Sequence, residues 1–446
     1  MSAPLLLILI AALAFLATHV LYEWLAKRLL IVSGAEYLVL GVLLGPQVTG
    51  LFPPSAVAAF EPILVLGIGW MGISAGTSLR LPRLVRIPSV TYRLSLVESL
   101  TTFALVAAGA TSALAYGFQA SYAAVMLPAL TLGAIAVAST PAGLDVAFGL
   151  SARAGARRAA PVLRQIEVAH GMDAFVSIFA FGILIAAAHT QVPLMMRALT
   201  TTEWVVVTLG IGVVGGALFH LFLGSERSPD RLFISLGGAV ILTSGAASYL
   251  QLSPTLAAFV MGIVLANSLR QPAPVDDVLR SGERPLYYVL LMLAGAAWAP
   301  GSNVVWWLVI MHYVVLRTIA KLWGTGIVTW INRAQAEVGL DWGRALMGQG
   351  RLTFALALDY SRRGLPYGDL IFTCAAVSVL FTEFFAARFV RSAVDPLLVP
   401  LEQLSMTLSA TTEAVMESVT ETMAQRFPAL RKVDPDAKEH EHKGKR

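Results

Sequence analysis

From Leu5 to Val390 the chain repeats one pattern: a long apolar run, then a short polar break carrying Arg, Pro or Gly, then another apolar run. Runs of roughly 18 to 25 apolar residues are long enough, as helix, to cross about 30 Å of hydrocarbon. The period-two alternation of a membrane β-barrel is absent from the sequence. The pattern predicts about thirteen spans. They begin with Leu5–Leu25, Tyr37–Leu51, Ile63–Ser78, Leu94–Tyr116, Ala123–Leu150 and Ile166–Ala188. Trp204–Leu223, Leu232–Leu250, Pro254–Leu269 and Leu286–Ala299 follow, then Val304–Ile331, Leu346–Tyr360 and Leu370–Val390. The fold class is an all-α polytopic membrane protein.

Composition agrees. Of 446 residues, 57% are hydrophobic and 13% charged, against the quarter or so charged in soluble domains. The first span has no basic leader and is followed by Lys27 and Arg28, so it reads as a retained helix with its N-terminus outside. Arginines then fall in alternate loops, at Arg80, Arg83, Arg86 and Arg93, at Arg153, Arg157, Arg158 and Arg164, and onward to Arg388 and Arg391. Arg197, Arg362 and Arg363 land in the opposite set. The bias makes the richer loops cytoplasmic and puts the C-terminus inside. Compact loops and the single cysteine, Cys374, suit a bacterial plasma (inner) membrane.

The net charge of +5 resides in those loops and the tail and implies no nucleic-acid partner. Residues 1–400 form the membrane domain, and 401–446 read as an amphipathic, then charged cytoplasmic tail. There is no zinc spacing, phosphate loop or Gly-x-Ser-x-Gly elbow, so no cofactor is expected and an enzyme is disfavoured.

Thirteen spans divide as six, one and six, the arithmetic of an inverted-repeat transporter with a linker helix. The fifth span contains "GAIAVASTPAGLD" and the twelfth "LMGQGRLTFALAL", each with helix-breaking Gly or Pro. Broken backbone at membrane depth survives only inside protein or beside a water-filled cavity, and matching breaks in two halves point to a substrate site. Gly and Pro are also simply common in membrane helices.

Charged groups inside spans are costly and therefore functional candidates. They are Glu98, Asp145, Asp173, Arg317, Lys321, Arg351 and Glu383, with Asp359 nearer a membrane end, where it can meet water. Asp173 lies on the order of 10 Å into the sixth span. Glu167, His170 and Ser177 share a helical face with it by three-and-four spacing, so a polar stripe leads from the surface to the carboxylate. A buried carboxylate is neutral only with a proton or a cation on it, so the two compete for one hard oxygen site. Ser139 and Thr140, at the break of the fifth span, can add oxygen ligands, although both are ordinary packing residues in membranes. The plainer alternative for Asp173 is an Asp–Lys pair that only fastens helices. His170 is also placed to tune pH response.

Five segments, "YLVLGVLLGPQVTGLF", "LGAIAVASTPAGLD", "HGMDAFVSIFAFG", "SPTLAAFVMGIVLAN" and "RTIAKLWGTG", resemble in order and spacing the monovalent cation/proton antiporter superfamily, the sodium/proton exchangers. The resemblance covers about Leu5 to Val390. It implies inverted six-helix repeats with two crossed broken helices, a panel-like dimerisation domain, a mobile core, a homodimer in the lipid bilayer and an elevator motion. It also implies that Asp173 is the shared H⁺ and cation site for Na⁺, with K⁺ or Li⁺ as alternates. Ser139 and Thr140 fall on the crossing positions, and Lys321 on the basic residue facing them.

Two departures carry consequences. Met172 stands where the family usually has Asp or Asn, so a second carboxylate is missing and one Asp predicts one-for-one, electroneutral exchange. Lys321 then needs another partner, with Asp173, Glu98 and Asp145 as candidates. Arg351 introduces a charge beside the second break that could balance Asp173 or repel cations. With Arg317, Lys321 and Arg351 all able to face the core, an anion-coupled transporter or a transporter-like sensor is the alternative.

Overall fold

The computed structural model describes residues 34–140, 159–189, 199–223, 228–269, 273–331 and 342–398. The first predicted span, Asp145, the Glu383 side chain and the tail from 401 onward lie outside the described residues. The described residues are helical, with no strand among them. The first elements are α1 (Ala35–Leu44), α2 (Pro54–Ala59), α3 (Glu61–Thr77), α4 (Leu81–Leu84) and α5 (Ser89–Phe118). Next come α6 (Tyr122–Val137), α7 (Ala159–Ala187), α8 (Thr201–Leu223), α9 (Pro229–Tyr249) and α10 (Pro254–Ser268). The last are α11 (Ala273–Ala297), α12 (Val304–Ile331), α13 (Trp342–Ala345), α14 (Arg351–Ser361) and α15 (Gly368–Leu398).

Local chemistry sets many of these ends. Proline opens α2, α3, α9 and α10, where its missing N–H costs nothing. Ser121 caps α6 by accepting from Ala124 N–H, and Ser253 caps α10 by accepting from Leu256 N–H at 3.2 Å. Five helices among the described residues are long and apolar enough to cross a membrane. Their outward faces carry large apolar side chains such as Leu221, Phe222, Trp323 and Trp330, a surface suited to lipid. The chain is an integral membrane protein.

The helices pack in two groups. In the first, the panel, α3 lies along α10, α1 along α11, and α8 and α9 complete the layer. Glycines permit this closeness: a Cβ on Gly76 would strike the Phe259 carbonyl oxygen, and one on Gly262 would lie 2.5 Å from that of Ile73. In the second group, the core, α5 packs on α6, α7 and α12, and α15 packs on α12, α13 and α14. The groups meet where α14 touches α3 and α11, and where α7 touches α8 and α10.

Within the described residues the predicted spans coincide with helices, apart from these corrections. The second span is helical only to Leu44, because Gly45 and Pro46 turn the chain. The tenth begins well before Leu286, at Ala273, and continues through Pro285, since the polar start of α11 is an amphipathic turn that apolar counting overlooks. The helix of the fifth span, α6, stops at Val137, and that of the twelfth, α14, starts at Arg351 rather than Leu346.

Candidate ion-binding site

Beyond Val137 the chain runs without helix through Ala138, Ser139 and Thr140. Opposite it, α13 ends at Ala345 and α14 starts only at Arg351. The two breaks touch. Thr140 N–H donates to the Gly348 carbonyl at 2.9 Å. Gly350 faces the Thr140 side chain so closely that a Cβ there would lie 3.1 Å from it.

A helix end leaves carbonyls without intrahelical donors and carries partial negative charge. Here two such ends converge, and Arg317 of α12 answers both. Its Nε donates to Ala136 O at 3.0 Å, its Nη2 to Ala138 O at 3.3 Å and its Nη1 to Met347 O at 2.8 Å. Gln349 adds a fourth bond, from Nε2 to Ile135 O at 3.2 Å, while its own N–H donates to Thr382 Oγ1. Arg317 and Gln349 are both fully buried. The planar guanidinium fork suits this three-carbonyl task in a way an ammonium does not.

One turn further along α12, Lys321 enters a second cluster. Its Nζ lies 2.7 Å from Asp173 Oδ2 and 3.1 Å from Glu98 Oε1. Ser139 Oγ–H donates to Asp173 Oδ2 at 2.6 Å, and Ser99 Oγ–H to Oδ1 at 2.7 Å. Thr102 Oγ–H donates to Glu98 Oε1 at 3.0 Å. Glu98, Ser99, Thr102, Asp173 and Lys321 all have zero exposure. His170 Nδ1 lies 2.6 Å from Ser139 Oγ. Because that hydroxyl gives its single proton to Asp173, the bond to His170 requires the proton on Nδ1.

Two carboxylates and one ammonium make a fully ionised cluster one negative charge in excess. In a low-dielectric interior that excess invites one proton or one monovalent cation.

No protein-family model matches the chain, and no curated protein matches its sequence. Solved structures do match. A structure of the sodium proton antiporter MjNhaP1 from Methanocaldococcus jannaschii at pH 8 aligns with a TM-score of 0.61 and 16% identity, covering 87% of this chain and 99% of that one. An electron-microscopy map of the same antiporter gives 0.57 and 15%, covering 90% and 98%. The chain has the sodium/proton antiporter fold. At this identity the likeness establishes architecture, and what the site does must be argued from its own residues.

On the antiporter fold the predicted site residues divide sharply. Asp173, Ser139, Lys321, Glu98 and His170 come together, and Thr140 joins them at the crossing through its backbone. Glu167 is exposed on α7. Ser177 donates to Ala134 O at 2.7 Å, which makes it a bond between α7 and α6. Asp145 lies outside the described residues.

Four expectations are corrected. The second carboxylate is present after all, supplied by Glu98 of α5, one of the three partners the sequence offered for Lys321. Arg317 compensates helix ends. Arg351 pairs with Glu283 of α11 at 2.9 Å, so its charge is answered from the panel. Asp359 does not meet water; it is fully buried and held by Arg362 and Arg363.

Ser99, Thr102 and Gln349 were not singled out in the sequence. A signal existed for the first two: Ser95, Glu98, Ser99 and Thr102 fall at i, i+3, i+4 and i+7, a polar stripe on one face of α5. Gln349 sits inside "GQGR", where a polar side chain beside a break needs a purpose.

Proposed function

We propose that the protein is a secondary active transporter exchanging H⁺ for a monovalent cation, Na⁺ first, with K⁺ and Li⁺ as alternates. The observation that carries this reading is the position of Asp173: a carboxylate with no exposure, at the crossing of two broken chains, held by two hydroxyls and an ammonium. The architecture it shares with a sodium proton antiporter supports the same reading.

The chemistry follows from what surrounds the carboxylate. Asp173 with the Ser139 and Ser99 hydroxyls offers hard oxygen donors to an alkali cation. Thr140 and carbonyls at the break are within the same short segment and complete the donor set. Lys321 Nζ now occupies the cationic position, so the arriving ion displaces it from Asp173. Glu98, already 3.1 Å away, receives it.

Charge bookkeeping with two carboxylates and one ammonium is neutral with one proton aboard. Replacing that proton by one monovalent cation leaves the total unchanged, so exchange is one-for-one and electroneutral. The second carboxylate changes the route to that stoichiometry and not the stoichiometry itself.

Transport then proceeds by an elevator-type motion in which the core carries Asp173 past the panel, and the panel holds a homodimer together. Glu167 and His170 line the approach to the site. The membrane is a bacterial plasma membrane, with the N-terminus outside and the C-terminus cytoplasmic. The anion-coupled reading loses its motive, because Arg317 is taken by carbonyls, Arg351 by Glu283 and Lys321 by carboxylates.

The test is proton flux in proteoliposomes of purified protein under an imposed pH gradient, adding Na⁺, Li⁺ or K⁺ in turn. Cation-triggered collapse of the gradient in wild type, lost in Asp173→Asn, is the expected result. Silence with every cation from folded protein overturns the antiporter.

A further inference from the structure

The short helix α14 joins the core to the panel at both of its ends. At its first residue, Arg351 reaches Glu283 of α11 at 2.9 Å. Past its last residue, Arg362 Nη1 reaches Glu61 of α3 at 3.1 Å, and its Nη2 donates to Ser248 Oγ of α9 at 3.2 Å. Arg363 donates to the carbonyls of Gln251 and Leu252, each at 2.7 Å, in the turn after α9. Every partner named so far belongs to the panel. Asp359, on α14 itself, gathers both guanidiniums through Oδ1 at 2.8 and 2.9 Å and so aims them outward together.

The same helix begins at the crossing, one residue after Gly350. Whatever moves the broken chains relative to the panel therefore moves Arg351, Arg362 and Arg363 as well. We propose that α14 is a bar latched to the panel at both ends, and that opening the two latches is the conformational step that frees the core to carry its site across the membrane.

This rests on the antiporter reading only for the purpose of the motion; the latches themselves are polar contacts between two packing groups. Each is replaceable by water once opened, because Arg351 keeps 29% and Glu61 59% side-chain exposure. Such part-exposed pairs are individually weak. They are suited to holding a conformation that must be left on every cycle.

The experiment uses full-length protein in which Cys374 is replaced by Ala and spin labels are attached at Tyr249→Cys on α9 and Phe381→Cys on α15. Distances between the labels are measured by pulsed electron resonance in liposomes. Glu61→Gln and Glu283→Gln alter only the panel side of each latch and leave Asp359 paired, so the fold is retained. Each variant is expected to raise a second distance population about two- to fivefold over wild type, and the double variant more than either. Distributions that superimpose on wild type in all three overturn the latch, even where cation-driven flux is intact. A shift in the variants with no flux from wild type supports the latch and overturns the antiporter reading instead.

Discussion

Asp173 and Asp359 are both carboxylates with zero exposure inside apolar helices, yet their surroundings differ in charge. Asp173 shares one ammonium with a second carboxylate. Asp359 has two guanidiniums, one of them shared with the part-exposed Glu61, and four N–H contacts converge on its Oδ1. One site is short of positive charge and the other is balanced. The first can accept a mobile cation; the second can only be held. Burial alone thus says nothing about which intramembrane acid has room for a cation's charge. The count of countercharges does.

The largest effect expected from breaking this contrast is at Asp173. Asp173→Asn should abolish cation-dependent proton flux while the protein stays folded and monodisperse, as read by flux and size-exclusion chromatography. Next, Lys321→Ala leaves two buried carboxylates uncompensated and should cost about 3–5 kcal/mol of stability, or convert to a form that folds only with protons or cations bound. Thermal melts at low and high pH, with and without Na⁺, measure that. Asp359→Asn should cost a similar or slightly smaller amount, about 3 kcal/mol, because it leaves Arg362 and Arg363 with only the part-exposed Glu61 between them. Its signature is a lower melting temperature with cation-triggered flux still present, in contrast to its loss at Asp173. A variant that melts normally and loses transport would reverse the assignment of the two acids.

Glu98→Gln sharpens the comparison, since it converts the Asp173 cluster to one carboxylate and one ammonium. Cation affinity should fall by about tenfold or more, with the fold intact, as measured by the Na⁺ dependence of flux. The smallest effect is at Glu283, at the polar start of α11 before Leu286. Burial pushes its carboxyl above the ordinary glutamate range, while Arg351, Arg280, Arg284 and the Ser74 hydroxyl pull it back. The Arg351 pair needs the ionised form. It should therefore loosen as pH falls, starting at a higher pH than for an ordinary glutamate. Glu283→Gln should remove that pH dependence from the label distances.

Much of the architecture was legible because its signals are local. Apolar run length found the spans, and Pro or paired Gly found both breaks, at Ala138–Thr140 and Leu346–Gly350. Asp173 was legible because a charge among apolar residues needs no partner to be noticed. What sequence reading could offer only as alternatives, as with Asp173, Glu98 and Asp145 for Lys321, or not at all, was pairing. Arg351 looked like a threat to cation binding until Glu283 stood beside it, and Arg317 looked like a free charge facing the core until three carbonyls claimed it. A charge's role depends on what faces it, and here the facing residues lie far away in sequence. Arg362 and Arg363, which stood apart from the other loop arginines in sequence, are likewise spoken for, by Asp359.

The bond from Thr140 N–H to the Gly348 carbonyl joins the two halves of the chain at their weakest backbone. Since Gly350 has room for no side chain unless Thr140 yields, neither position is free to drift by itself. The two repeats therefore share one evolutionary fate at this point: a bulkier residue on one strand is tolerable only with a smaller one on the other, so change must arrive in pairs.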